Sequence, residues 1–541
     1  MSGRQPARTA DRDGWPPPST PAFDAMRYWA GLDPTRTAVI DRSRPHRRRW
    51  SYGELDALAD RWAGWLSGAS VGTGDRVAVL ARNRVDHVAL LYACLRSGSA
   101  LVPLNWRLTA PELLRTLAHC RPSVVLGEAQ FAALIPPDGA SPFSWVDLDR
   151  AAARLDTDLT PGTPVERGHD VPTSEEAPWL ILYTSGSAGE AKGVVLPRRQ
   201  QFWNAVATCA GWELSSSDVA LVATPFFHTA GWNVFATPLW HSGGAIVLLD
   251  RFDPADFLSA LRDESCTLAF AVPAQYQALV GQPGWDEPLP ALRQLVSGGA
   301  PCPPTLARTV RGAGYPFRNA YGLTECGPNC FTTTDAVADA DPESVGWPLP
   351  FLEARVVDER GVDCAAGETG ELWLRGPQLF GGYFEAPAPT AAAFAPEGWL
   401  RTGDLVSRDA AGNHTIRGRR TDLYITGGAN VFPGEVEAAL LEHPAVADAA
   451  VIGVPDERWG EAGLAMVVMA PGREAALAEL RDFARERLAG YKVPRQFVVV
   501  EAVPRLGSGK PDRQALARLG ATVIDPDRGA PRETGARGGA Y

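Results

Sequence analysis

Short apolar runs recur along the chain: Val77–Leu80, Leu101–Pro103, Val124–Leu126, Trp179–Leu182, Val219–Ala223, Ala245–Leu249, Leu268–Val272 and Leu295–Gly299. The later ones each meet Pro, Gly, Asp or Arg where they end. Runs this short and this uniformly apolar suit strands buried on both faces, since a helix needs about ten residues or more to bury a stripe. Segments of helical spacing lie between several of them, with Leu55, Leu58, Ala59, Trp62 and Leu66 in one and His87 to Leu95 in another. Strand and helix in alternation imply an α/β fold of layered, mostly parallel sheets. His87 reads as a structural residue of its helix.

At 541 residues the chain exceeds one compact core, so two or three domains are expected. A linker dense in Pro, Thr, Asp and Glu spans about 156–178. The texture changes after about Leu352, where alternating strands near Ala354–Val357 and Glu371–Arg375 flank Gly361 and Gly367, an antiparallel β-rich subdomain over about 351–419. From Pro433 a compact α+β unit is expected: a helix, strands near Ala449–Val454 and Leu464–Met469, a second helix over 475–488, and a strand at Phe497–Val500. The domains are therefore expected at 23–419 and 420–519, with disordered tails at 1–22 and 520–541, where Arg, Pro and Gly dominate and no apolar period survives.

Between Trp179–Leu182 and the next apolar run stands Tyr183-Thr184-Ser185-Gly186-Ser187-Ala188-Gly189-Glu190-Ala191-Lys192-Gly193. Backbone N–H groups and hydroxyls on such a turn form a concave donor surface for phosphate oxygens, and Lys192 adds a positive charge. An ordinary Gly/Ser turn between two strands fits equally well. The usual nucleotide P-loop does not, because no Lys-Ser or Lys-Thr follows the last glycine. Placed at the end of a βα unit, the loop would lie where ligands gather on parallel sheets.

The net charge of −11 argues against nucleic-acid partners and anionic membranes, both of which select a basic face. No apolar stretch reaches the roughly 18 residues of a membrane span, and the N-terminus lacks the apolar core of a secretory signal. Eight cysteines without CxxC spacing point to a reducing, cytoplasmic setting. Cys326 and Cys330, the closest pair, read as small buried thiols with no zinc set around them.

Further motifs complete the pattern: Pro225-Phe226-Phe227-His228, Asn319-Ala320-Tyr321-Gly322-Leu323-Thr324-Glu325, Thr402-Gly403-Asp404-Leu405, Gly418-Arg419, Gly427 to Glu437, and Gly507-Ser508-Gly509-Lys510. With the loop, these resemble the adenylate-forming superfamily of acyl- and aryl-CoA synthetases, peptide-synthetase adenylation domains and luciferases. The resemblance runs from about Asp24 to Leu519. It implies a large N-terminal AMP-binding domain, a small mobile C-terminal lid, and ATP, Mg2+ and CoA as cofactors and co-substrate.

The resemblance also implies roles. Thr184, Ser185, Gly186, Ser187, Gly189 and Lys192 would hold phosphates, with Thr324 as a further phosphate contact and Glu325 as the magnesium ligand. Gly299, Ala300, Tyr321 and Gly322 would frame adenine, and Asp404 and Arg419 would grip the ribose. Lys510 would be the adenylation lysine, with Thr184, Glu325 and His228 also catalytic. Thr421 would be the hinge, and Gly427 and Gly428 would line a pantetheine tunnel. Two departures, Ser187-Ala188 and Glu190-Ala191, remove a hydroxyl and relax the turn, so slower adenylation is expected.

For the acid, His228, Trp232, Asn233, Phe235, Ser297 and Tyr321 are expected near the acyl group, an aromatic wall with few polar groups. No carboxylate stands near His228 to pair with an ammonium, so an α-amino acid is disfavoured. The reading is an aryl or medium- to long-chain acid, activated and passed to CoA by a monomer or homodimer. Passage to an acyl carrier protein or another nucleophile, a different oxyacid, and a non-catalytic nucleotide scaffold are the alternatives.

Overall fold

The computed structural model describes residues 23–43, 47–135, 143–156, 174–185, 191–427, 429–505 and 511–523. Its first sheet has the order Phe317–Asn319, Gln294–Ser297, Leu268–Ala271, Val219–Val222, Ala245–Leu248, Thr37–Asp41 and Arg48–Ser51, parallel except for the last edge strand. The strands Gln294–Ser297, Leu268–Ala271 and Ala245–Leu248 are buried along their whole length, as their uniform apolar composition requires.

The second sheet runs Gly382–Tyr383, Ala191–Pro197, Pro178–Ser185, Ala100–Pro103, Arg76–Leu80, Val124–Gly127 and Ser144–Asp147. Here one expectation is corrected. Pro178–Ser185 pairs antiparallel with Ala191–Pro197, so residues 186–190 join two neighbouring strands instead of leading from a strand into a helix. Strand-forming side chains read alike whether the partner runs parallel or antiparallel, and a five-residue connection is too short for a crossover.

Helix Val85–Ser97 is buried from Val85 to Arg96, so its few charges need partners. Arg96 meets Asp24, Asp56 and Asp60 at 2.9, 2.6 and 2.9 Å, and Arg84, just before the helix, meets Asp86 and Asp149. His87 has no such partner to hold a charge. Its ring packs against Phe226 and Trp232, and burial lowers its pKa to about 3. Between the unfolded value near 6.5 and that folded value, only the unfolded chain binds the proton, so stability falls as the pH drops. Lowering the pH from 6.5 to 5 should remove roughly 2 kcal/mol through this group. Thermal unfolding at several pH values should show His87→Phe losing less stability over that interval than the parent.

A six-stranded antiparallel sheet follows: Phe331–Thr332, Ser344–Pro348, His414–Arg419, Leu400–Arg408, Thr369–Arg375 and Glu353–Val357. The chain then leaves it at Arg420, whose N–H donates to Gly403 O and whose guanidinium lies 3.4 Å from Glu371. The C-terminal sheet carries Ala429–Val431, Tyr424–Thr426, Gly460–Met469 and Val446–Asp456, with Gln496–Val499 parallel to Gly460–Met469. It has apolar clusters of its own, around Tyr424, Val436, Leu440, Val451 and Phe497 on one side and Ile452, Leu464, Met466 and Leu516 on the other. No helix among the described residues is long and apolar enough to cross a membrane. All eight cysteines are free thiols, with Cys326 and Cys330 fully buried.

Candidate active site

The carboxyl ends of parallel strands bring several of the expected residues to one edge of the first sheet. Val219–Val222 leads to His228, Gln294–Ser297 to Gly299 and Ala300, and Phe317–Asn319 to Tyr321–Glu325. Ser297 is the register partner of Asn319, and Ala320 N–H donates to Ser297 O at 2.7 Å, so the turns that carry Gly299 and Tyr321 rise side by side. Gly299 sits at φ +80, a left-handed conformation that favours glycine.

Gly322 is glycine for another reason. A Cβ there would lie 2.2 Å from the carbonyl carbon and oxygen of Pro328, across the turn Tyr321–Cys330. That turn is held by Cys330 N–H donating to Tyr321 O at 2.9 Å. Gly322→Ala should therefore lower stability by about 1–3 kcal/mol and reduce nucleotide-dependent activity together, measurable by thermal unfolding and ATP turnover.

Asp404 and Arg419 are register partners on adjacent strands, and Arg419 Nε donates to Asp404 Oδ1 at 2.9 Å. Tyr321 OH donates to Asp404 Oδ2. Burial and the Asp404 charge push the Tyr321 phenol well above its ordinary pKa, so it stays a donor. Asp404 is 4% exposed, while the Arg419 side chain is 48% exposed and free to reach a ligand.

On the other side, Thr184 faces Lys192 across the antiparallel pair, and Ser185 ends its strand opposite Ala191. Lys192 Nζ lies 5.2 Å above the Tyr383 ring, and Tyr383 OH donates to Glu325 Oε1 at 2.9 Å. Burial and the Glu325 charge raise the Tyr383 pKa, which preserves that donor. Phe380 N–H donates to Glu325 O at 2.7 Å, fixing the backbone as well. Tyr383 is the site residue that motif reading missed. Its signal was present in Gly381-Gly382 just before it, since Gly382 adopts φ +124 to let Gly382–Tyr383 pair with Val194–Val195.

Glu325 Oε2 accepts no bond among the described residues, which leaves one hard oxygen suited to magnesium. One carboxylate with phosphate oxygens and water is an ordinary set for that ion, and no group of three or more candidate metal ligands occurs among the described residues.

Of the residues expected near the acyl group, Trp232, Asn233 and Phe235 are 0–2% exposed and closely packed by their neighbours. Trp232 stacks on Phe226 at 4.0 Å, and Phe235 packs on Trp212. Asn233 spends its side chain on Thr229 and Thr237. A helix as short as Thr229–Asn233 holds its place by such packing. His228 is half-buried at the N-cap of that helix, Ser297 is buried, and Thr324 is half-buried on the turn.

Thr421 is exposed, one residue past the Arg420 tether, and its hydroxyl donates to Asp422. Gly427, at φ +58, lies against the Trp459 ring and donates its N–H to Trp459 O. Gly186, Ser187, Gly189, Gly428 and Lys510 lie outside the described residues.

A parallel-sheet edge facing a phosphate-type hairpin, a carboxylate–arginine pair and a separate C-terminal unit defines a nucleotide-dependent α/β enzyme. The chain belongs to the AMP-binding enzyme family, whose model matches residues 26–384, with the AMP-binding enzyme C-terminal domain matching 435–510. It is 37% identical to a feruloyl-CoA synthase of an Amycolatopsis species over 89% of this chain and 95% of that protein. It is 35% identical to an indoleacetate–CoA ligase of Aromatoleum aromaticum over 91% and 96%. Among solved structures it resembles an o-succinylbenzoate CoA synthetase of Bacillus subtilis in complex with its acyl-adenylate intermediate, with TM-score 0.81, 30% identity and coverage of 91% and 97%.

Proposed function

We propose that this protein is an AMP-forming acid–thiol ligase that activates a carboxylic acid with ATP and transfers the acyl group to CoA. The observation that carries this reading is the pair of chains Lys192–Tyr383–Glu325 and Tyr321–Asp404–Arg419, both anchored on the turn at the end of one parallel strand. One chain offers charge for phosphates, and the other offers an acceptor and a fork of donors for ribose hydroxyls.

In the first half-reaction a carboxylate oxygen bonds to the α-phosphorus of ATP, and the bond to the β-phosphate oxygen breaks to release pyrophosphate. Lys192 and the hairpin donors oppose the charge of the phosphates, and Asp404 fixes the nucleoside so that the α-phosphorus meets the acid held near His228. A magnesium ion held by Glu325 supplies charge neutralisation at the phosphate oxygens when bound. In the second half-reaction the CoA sulfur bonds to the acyl carbon and AMP departs. The C-terminal unit, residues 420–519, serves as the lid, turning about Thr421 to exchange Lys510 for the Gly427–Gly428 tunnel. The single chain, as monomer or homodimer, is the catalytic unit, and a reducing cytoplasm keeps its thiols free.

Pyrophosphate release against a panel of aryl and fatty acids, with CoA, a carrier protein or no acceptor, tests the reading. The expected result is acid-dependent pyrophosphate and a CoA thioester. Thioester formed only on the carrier protein would move the acceptor, and absence of pyrophosphate with every acid would overturn the ligase.

A further inference from the structure

Strand Leu400–Arg408 carries a bulge where it passes Thr369–Arg375. Glu371 is the register partner of Leu405 and Trp373 that of Arg401, so Thr402, Gly403 and Asp404 together stand against Leu372 alone. A bulge turns a side chain out of the regular pleat, and here the one re-aimed is Asp404, which meets Tyr321 and Arg419. Bonds to the neighbouring strand hold it open. Thr402 Oγ1 donates to Leu372 O at 2.8 Å, and Gly403, at φ +71, donates its N–H to Glu371 Oε1 at 3.2 Å.

Glu371 is out of keeping with its face of the strand. Side chains alternate along Thr369–Arg375, which puts Glu371 on the side of Trp373 and Arg375. Those two are half-buried, whereas Glu371 is 9% exposed. A carboxylate withdrawn from water is costly unless it is paired. Its second oxygen, Oε2, lies 3.4 Å from Arg420 Nη1, the one cation set against it among the described residues.

Arg420 is tied to the same bulge a second time, because its N–H donates to Gly403 O at 2.9 Å. Both main-chain groups of Gly403 are therefore taken, the N–H by Glu371 and the C=O by Arg420, and the two side chains close the ring. Beyond Arg420 the chain turns back on itself. Asp422 and Leu423 N–H both donate to Arg419 O, at 3.1 and 3.2 Å, and Thr421 is exposed between these anchors.

Resting on the ligase reading above and its pivot at Thr421, we propose that Glu371 is a positioning residue that clamps Gly403 to Arg420. The clamp keeps the Asp404 carboxylate and the fixed end of the pivot at one spacing through both half-reactions. It lies wholly before Thr421 in the chain, so the lid turns while the ribose grip stays in place. Without Glu371 the Gly403 N–H loses its acceptor, and Arg420, whose side chain is 60% exposed, is held by one backbone bond. A grip displaced by about 1 Å costs up to about a hundredfold in rate.

The test uses the full chain, with AMP as the first probe because its binding needs no acid. By calorimetry, Kd for AMP should rise about tenfold in Glu371→Met, which removes both bonds. Glu371→Gln keeps an acceptor for Gly403 N–H and should raise Kd only about threefold, as should Arg420→Met. Their double variant should match either single one, since both remove the same ion pair, and Arg420→Lys should bind AMP as the parent does. Single-turnover pyrophosphate release and CoA thioester formation, with the panel acid that the parent uses fastest, should both slow about tenfold in Glu371→Met at an unchanged KM for that acid. A lower melting temperature with parent affinity for AMP and parent rates would make Glu371 structural only and overturn the proposal. Losses that multiply in the double variant would overturn the clamp as well. Absence of pyrophosphate from the parent with every acid would overturn the ligase and the pivot half of the proposal, and the AMP affinities would still decide the clamp on Asp404.

Discussion

Asp404→Ala should cut kcat/KM for ATP by about 10²–10⁴ while KM for the acid changes little. The carboxylate is 4% exposed and accepts from Tyr321 OH and Arg419 Nε, so its orientation is set before any nucleotide arrives. Hydrogen bonds to a charged group are worth about 1.5–3 kcal/mol each, and losing two to the ribose gives that range. Steady-state kinetics with each substrate varied in turn, beside a melting curve, separates this from a structural role. A lower melting temperature with an unchanged KM for ATP would make Asp404 only an anchor for Tyr321 and Arg419.

Glu325→Gln should lower the rate of adenylation by about 10²–10³ and raise the magnesium concentration needed for half-maximal rate. The substitution keeps the size of the side chain and an acceptor for the Tyr383 hydroxyl, so the fold should be unaffected. What it removes is the negative charge that suits a hard cation. Tyr383→Phe is the companion: it leaves that charge but frees the carboxylate to turn, and a loss of about tenfold would fit a positioning role. Single-turnover pyrophosphate release across a magnesium series measures both. Wild-type behaviour of Glu325→Gln would remove Glu325 from the metal site.

The parallel core was legible because a strand buried on both faces leaves a plain mark, as Ala245–Leu248 and Leu268–Ala271 do. Asp404 and Arg419, 15 positions apart, become neighbours only because Leu400–Arg408 and His414–Arg419 form a hairpin; their motifs named them, and the register explains them. The antiparallel partner of Pro178–Ser185 was not legible, because period and composition say nothing of strand direction. The packing of Trp232 on Phe226 and of Phe235 on Trp212 was not legible either, because an aromatic beside His228 reads alike as lining or as core. The burial of Gln200 and Asn204 on helix Arg198–Trp212 left no sequence trace either. Polar residues on a helix ordinarily face water, and these are inside.

The account turns on where the acid attacks. With both oxygens of the carboxylate labelled as ¹⁸O, one label should appear in the AMP released and none in inorganic phosphate. Label in phosphate, with ADP as the nucleotide product, would place the attack on the terminal phosphorus and contradict the account.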